Sequence, residues 1–237
     1  MSRKFIKFLS ALGALAISMS SVLSGSVFAR ERRQEVNMRL AESAGRDAEA
    51  AFDKLARVRP LRPDELVLVV DPELQRLHVM RNREIVKTYT ISTSKYGLGT
   101  KYKSKQTPWG THRIKTKIGH GVKPWTIFRY GENTGKIAKP WSSGAGVTSR
   151  IMWLQGLEEG VNFDSSITEE NFRKKSGHVD TYWRHVYIHG TPLESRVGRP
   201  ASIGCITMKN AEVIELFDMV PEGTLVEILH KTYVARN

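Results

Sequence analysis

The spacing of apolar residues changes along the chain, and each change predicts a different element. Arg3, Lys4 and Lys7 precede a mostly apolar stretch from Phe8 to Ala29. Residues 31–58 then lack proline and are rich in Ala, Glu and Arg; Val36, Leu40, Ala44, Ala51 and Leu55 leave a thin apolar stripe. That spacing predicts a helix with one weakly buried face. Pro60 and Pro63 end it and mark a linker.

From Asp64 the pattern becomes that of strands. Leu66 to Val70 is an unbroken apolar run bounded by Asp71-Pro72, which fits a strand buried on both faces. Gln75–Met80 and Ile85–Ile91 follow, with Arg81-Asn82-Arg83 as the turn between them. Thr107-Pro108-Trp109-Gly110 reads as a turn and Thr111–Ile114 as extended chain. Residues 119–147, rich in Gly, Pro and Trp, predict a long irregular excursion whose aromatic residues (Trp125, Phe128, Tyr130, Trp141) either wall a cleft or pack. Trp183–His189 is a further strand. Val213, Ile214, Leu216, Phe217 and Val220 have helical spacing over 210–220, ended by Pro221 and Gly223, and Thr224–Leu229 is a final strand. The fold class expected is therefore mostly β, a sandwich or barrel-like domain with one or two helices, preceded by an N-terminal helix.

Composition fits one globular core plus an appendage: 237 residues, 40% hydrophobic and 26% charged. A net charge of +13 invites a nucleic-acid partner, but the N-terminus redirects that reading. A basic start, an apolar stretch and Ser26-Val27-Phe28-Ala29 make a secretory signal peptide over 1–29, cleaved after Ala29. The serines at 10, 18, 20, 21, 24 and 26 argue against a permanent membrane helix. Losing the leader removes three cations and no acids, which leaves +10 on a chain exported to the periplasm or cell envelope. Anionic envelope polymers then replace nucleic acid as the expected charged partner. The organisation expected is signal peptide 1–29, helical arm and linker 30–63, and a catalytic domain over 64–232.

Export also gives the single cysteine a meaning. One Cys excludes an intramolecular disulfide and a Cys-rich zinc site, and a lone thiol outside the cytoplasm points to reactivity. Cys205 lies in Ser202-Ile203-Gly204-Cys205-Ile206 and is fourteen positions beyond Thr191, the last residue of Tyr187-Ile188-His189-Gly190-Thr191. A thiol of ordinary pKa is mostly protonated at neutral pH, so a nearby imidazole is needed to take its proton and later protonate a leaving amine. His189 is the expected base and Cys205 the nucleophile. Amides around Gly204 can hold a developing oxyanion. The base needs an acceptor to set its tautomer, and the Gly190 carbonyl can serve. His185 shares an alternating strand face with His189 and competes for the role of base; His112 and His178 are expected at the surface or in loops. No third ligand accompanies His185 and His189 at a recognisable spacing, so neither a metal nor another cofactor is expected.

These residues resemble the L,D-transpeptidase catalytic domain (YkuD) family. Its hallmark is His-Gly, a gap of some fifteen residues, then Ser/Thr-His-Gly-Cys and an apolar residue; here His189-Gly190 and Ser202 to Ile206 occupy that pattern. The resemblance covers roughly 64–230 and includes the strand with Asp71, the Thr107–Gly110 turn, Asn210 at a helix start and Gly223-Thr224-Leu225-Val226. It implies a β-rich fold acting on peptidoglycan. Cys205 would attack the amide after the third residue of a tetrapeptide stem, commonly diaminopimelate, and expel D-Ala; an amine on another stem would then form a 3→3 cross-link. It further implies His189 as base, Gly190 as the orienting carbonyl, an oxyanion hole from the amides of Ile203, Gly204 and Cys205, substrate contacts at Tyr187, Ser202, Ile203 and Gly204, and acylation by carbapenems. Two positions depart from the pattern. Ile203 stands where His is common, and Thr207 where Arg often follows. Relatives with Ser-Ile-Gly-Cys include hydrolases that cut lipoprotein from peptidoglycan. The expected partners are peptidoglycan stems, with an amine acceptor or an envelope lipoprotein. The alternatives are a carboxypeptidase or amidase of the same fold, and a non-catalytic envelope-binding module in which Cys205 is packing.

Overall fold

The computed structural model describes residues 4–141 and 146–230. Arg3 of the expected leader and the end of the expected domain, 231–232, lie outside the described residues. Helix α1 spans Lys4–Val58. The chain divides into two compact units, residues 1–46 and 47–237. The second begins inside the expected helical arm and contains all ten strands. Among the described residues no helix is long and apolar enough to cross a membrane.

The expected mostly β architecture is present as a single ten-stranded sheet. Strands β1 (Val67–Asp71), β2 (Arg76–Arg81) and β3 (Glu84–Thr90) form an antiparallel meander. Its second turn needs only Asn82 and Arg83, both at positive φ (50° and 70°), the two-residue geometry that matches the right-handed twist of a hairpin. The sheet continues through β10 (Leu225–Ile228), which pairs parallel to β1, then β4 (Gly110–Ile118) and β7 (Val147–Gly156).

Burial on both faces explains the unbroken apolar run of β1. Leu68 and Val70 enter the main core with Leu77, Ile114, Met152 and Phe217. Val67 and Val69 face the other way, against Ala48, Ala51 and Leu55 of α1. Ala51 and Leu55 bury the C-terminal part of the α1 stripe. Val36 is 55% exposed, and the side chain of Leu40 lies outside the described residues. Lys54 on the same helix bridges Glu158 (2.8 Å) and Glu227 (2.7 Å), two largely buried carboxylates.

Two expectations need correction. Residues 119–147 are not simply irregular: β5 (Thr126–Arg129) and β6 (Glu132–Ile137) form a hairpin turned by Tyr130 and Gly131, both at positive φ. β6 is exposed throughout, so it has no buried face for an alternating pattern to reveal. Residues 142–145 of that excursion lie outside the described residues. The strand expected over Trp183–His189 begins only at Tyr187, as β8 (Tyr187–Gly190). Ahead of it the chain turns: Asp180 Oδ1 accepts the Trp183 N–H (3.1 Å), Tyr182 O accepts the His185 N–H (3.0 Å), and His185 sits at φ +56°.

Helix α2 (Asn210–Met219) follows β9 (Ile206–Met208) and covers β7 and β8, burying Val213, Leu216 and Phe217. Its first residue is a buried hub. Asn210 Oδ1 accepts from Thr148 Oγ1 (2.7 Å) and Ser149 Oγ (2.5 Å), while Nδ2 donates to Thr191 O and Glu194 Oε1 (both 2.9 Å). The Glu194 carboxylate also takes the Asn210 backbone N–H (2.7 Å), supplying the helix start with the acceptor that Lys209 lacks.

Candidate active site

The two motifs that lie far apart in sequence meet because β8 and β9 pair in parallel. Ile188 faces Ile206, His189 faces Thr207 and Gly190 faces Met208. This register sets His189 beside the strand that Cys205 leads into. Both line one cleft of about 420 Å³, together with Tyr187, His185, Ser202 and Ile203.

His189 is almost fully buried, and its Nδ1 lies 2.8 Å from Gly190 O. A carbonyl can only accept, so the proton resides on Nδ1 and Nε2 keeps its lone pair. Burial outweighs that bond and holds the imidazole pKa down at about 4. Gly190 has a steric reason as well. A Cβ there would stand 2.7 Å from Asn210 Oδ1 and 2.7 Å from Thr148 O, so the hub at Asn210 can only close around a glycine.

The turn that carries Cys205 is bonded to itself and clamped from one side. Ser202 Oγ donates to Cys205 O (2.5 Å) and accepts the Gly204 N–H (3.3 Å). Gly204 adopts φ +134°, a conformation side-chain-bearing residues avoid. Its carbonyl takes the Thr107 hydroxyl at 3.0 Å, and Thr107 Oγ1 in turn accepts the Ser94 N–H. Thr93 O accepts the amides of Ala201 and Ser202, and the Thr207 N–H donates to Ser92 O. This clamp from residues 92–107 was not apparent from sequence; the only hint was the run of Ser and Thr before Lys95. Ser202 therefore serves the turn, and Ile203, 60% exposed, forms an apolar lip at the cleft mouth.

The Cys205 thiol donates to His185 O (3.5 Å) and accepts the Tyr187 backbone N–H (3.4 Å). Burial pushes its pKa up to about 11, against the opposing effects of the Tyr187 N–H and the Arg184 charge. The resting pair is thus a neutral thiol and a neutral imidazole. Tyr187 places its hydroxyl 3.0 Å from His185 Nδ1 and its ring edge-on to His189; burial raises its pKa. His185 is not on the strand face of His189, yet it lines the same cleft, and burial lowers its pKa, with help from Arg173.

Of the two histidines expected at the surface or in loops, His112 lies in β4 instead, and His178 lies in a loop but is buried. His112 is fully buried, with Nδ1 2.8 Å from Gly110 O and Nε2 3.1 Å from Thr181 Oγ1, and burial lowers its pKa to about 4. His178 is 4% exposed and stacks on Tyr102 with centroids 4.4 Å apart. The turns of residues 157–186 cover both, which no local pattern foretold. The aromatic residues of the excursion divide: Tyr130 lines the cleft, and Phe128 packs in a small core with Ile151 and Tyr187. Among the described residues, no group of three or more His, Cys, Asp or Glu could hold a metal ion.

A second cleft of about 290 Å³ also borders Cys205. Tyr102, Lys103, Lys105, Gln106, Trp183 and Arg184 line it, and Cys205, His185 and Ile203 border both clefts.

Comparison with known proteins places this geometry. The model of the L,D-transpeptidase catalytic domain family (YkuD) matches residues 65–228. A Bacillus subtilis protein named as the L,D-transpeptidase YkuD is 43% identical over 61 residues, which cover 24% of this chain and 37% of that protein. A second Bacillus subtilis protein, named as the L,D-transpeptidase YqjB, is 54% identical over 41 residues, covering 17% and 23%. The chain thus spans roughly a quarter to a third of the length of these relatives. Among solved structures, an Enterococcus faecium L,D-transpeptidase C442S mutant is similar at 18% identity and TM-score 0.42, over 72% of this chain and 52% of that one. L,D-transpeptidase LdtMt1 in complex with imipenem is similar at 22% identity and TM-score 0.40, over 70% and 59%.

Proposed function

The chain belongs to the family of L,D-transpeptidase catalytic domains, and from that membership we propose that it is an exported cysteine acyltransferase of peptidoglycan. The observation that carries the reading is the shared cleft. Cys205 and His189 line it together, and Gly190 O fixes the His189 proton on Nδ1, which leaves Nε2 to act as base.

The reaction has two halves. As Cys205 Sγ attacks the carbonyl carbon of the third stem residue, its proton passes to His189 Nε2. The amides flanking Gly204 hold the oxyanion. The C–N bond breaks, the departing D-Ala amine takes the proton from His189, and a thioester remains. A neutral amine of a second stem then attacks the thioester carbon, the C–S bond breaks, and the amine's proton returns to the sulfur through His189. Water in place of the amine gives a tripeptide.

The neutral resting pair suits this sequence, since the thiolate forms only as a substrate carbonyl arrives to accept it. Two clefts that both border Cys205 suit a reaction with two stems. Thr207 and Ile203 take other work here. The Thr207 hydroxyl donates to Ser92 O (3.4 Å), and Ile203 lines the mouth. Export through the leader at 1–29 brings the enzyme to its substrate.

Product analysis tests the proposal. The protein is incubated with tetrapeptide-bearing muropeptides, and 3→3 dimers with released D-Ala are expected. Tripeptides without dimers would reassign the chain as a hydrolase of this fold. A carbapenem should add one covalent mass at Cys205, and Cys205→Ala should abolish both results. An unmodified Cys205 in the wild-type protein would instead favour a non-catalytic envelope-binding module.

A further inference from the structure

The second cleft carries a charge that the reaction above does not use. Lys103 and Lys105 on its rim are exposed, and Arg184 lies deeper. None of the three forms an ion pair among the described residues. Between Glu84 and Glu132 the sequence has ten Lys or Arg and no acid, so the loop that builds this wall brings no carboxylate of its own.

Arg184 is the most telling of these residues. Its Nη2 donates to Gln106 O (2.7 Å) and Ser104 Oγ (3.2 Å), both neutral acceptors. Its Nη1 is buried with no partner. Of the groups that act on its charge, Cys205 is held as a neutral thiol, and the Asp180 carboxylate is committed to the backbone N–H groups of Trp183 and Asp164. An unpartnered buried guanidinium nitrogen is costly, and such groups are retained where something else completes them. A guanidinium fork and two ammonium groups around one recess suit a carboxylate, which accepts from all of them.

We propose that the second cleft is a carboxylate site, in which Arg184, with Lys103 and Lys105, holds an amine acceptor by a free carboxylate next to its amine. Diaminopimelate belongs to that class. The cations would repel a simple alkylammonium, so the carboxylate is what admits the acceptor, and its capture holds the neighbouring nitrogen near Cys205. The inference rests on the acyltransferase reading for the meaning of "acceptor", but binding can be measured without any chemistry.

The test uses the full chain with Cys205→Ala, titrated by calorimetry with two peptides: a tripeptide stem ending in diaminopimelate as the free acid, and the same stem amidated only at the carboxyl beside that residue's free amine. The free acid should bind about tenfold more tightly, the size of one charge-assisted hydrogen bond. The preference should weaken as salt rises. Arg184→Gln should abolish it and Lys103→Gln/Lys105→Gln should reduce it, while Arg184→Lys keeps part of it, a rescue that a purely structural role would not produce. Equal binding of the two stems, no binding of either, or a preference that survives Arg184→Gln would overturn the inference. The acyltransferase reading fails separately, by the absence of a carbapenem adduct on the wild-type thiol.

Discussion

The protonation state of Cys205 offers the sharpest test of the site, through alkylation by iodoacetamide. Burial raises the thiol pKa to about 11, against about 8.5 for a free cysteine. At pH 7.5 this leaves roughly 300-fold less thiolate than an unfolded chain carries. The more basic thiolate is intrinsically more nucleophilic, which offsets about tenfold of that loss and leaves a net slowing of about 30-fold. The folded protein and the same protein in denaturant are alkylated in parallel from pH 7 to 11, and the adduct is counted by mass. The folded rate should climb through the whole range with no plateau below pH 10. Arg184→Gln should slow it further, because the Arg184 charge lowers the thiol pKa. A plateau reached by pH 8, at a rate matching or exceeding the denatured chain, would refute the reasoning. It would mean that the resting site holds a thiolate–imidazolium pair.

Other consequences follow from the same geometry. Gly190→Ala forces a Cβ to within 2.7 Å of Asn210 Oδ1 and Thr148 O; a loss of about 1–3 kcal/mol should appear in denaturant melts, with carbapenem acylation falling as His189 loses its anchor. His112 and His189 are buried neutral with pKa values near 4, below the unfolded value of about 6.5. The unfolded state therefore binds more protons between these limits, so the stability these two provide is complete above pH 6.5 and is lost as pH falls toward 4. Thermal melts across that window should show a steep decline that His112→Asn makes shallower. Lys54→Met strands Glu158 and Glu227 and should cost on the order of 3 kcal/mol, read by urea titration, whereas Glu35→Ala, which breaks an exposed pair with Arg39, should change little. His189→Ala should abolish acylation; if His185→Ala does so and His189→Ala does not, the base is His185.

The sequence already held the strands that bury both faces or alternate, the helix over 210–220, and the residue types of the site. Periodicity reports burial, and β1, β2 and α2 are buried in regular patterns. It could not report the β5–β6 hairpin, since β6 buries nothing, nor the turn before β8, where the Asp180 carboxylate and a left-handed His185 stop a β-compatible sequence from extending. His189-Gly190 and Ser202 to Cys205 were legible as chemistry because thiol, imidazole and glycine are few and their roles are narrow. Their meeting depends on the parallel pairing of β8 with β9, a long-range contact no local pattern encodes. The same holds for burial: only the packed fold determines that His112 is interior, that the thiol rests neutral, and that Arg184 lies unpaired beside the sulfur. Charge and reactivity at those positions come from how much water and how many partners the fold leaves them, and a linear sequence specifies neither directly.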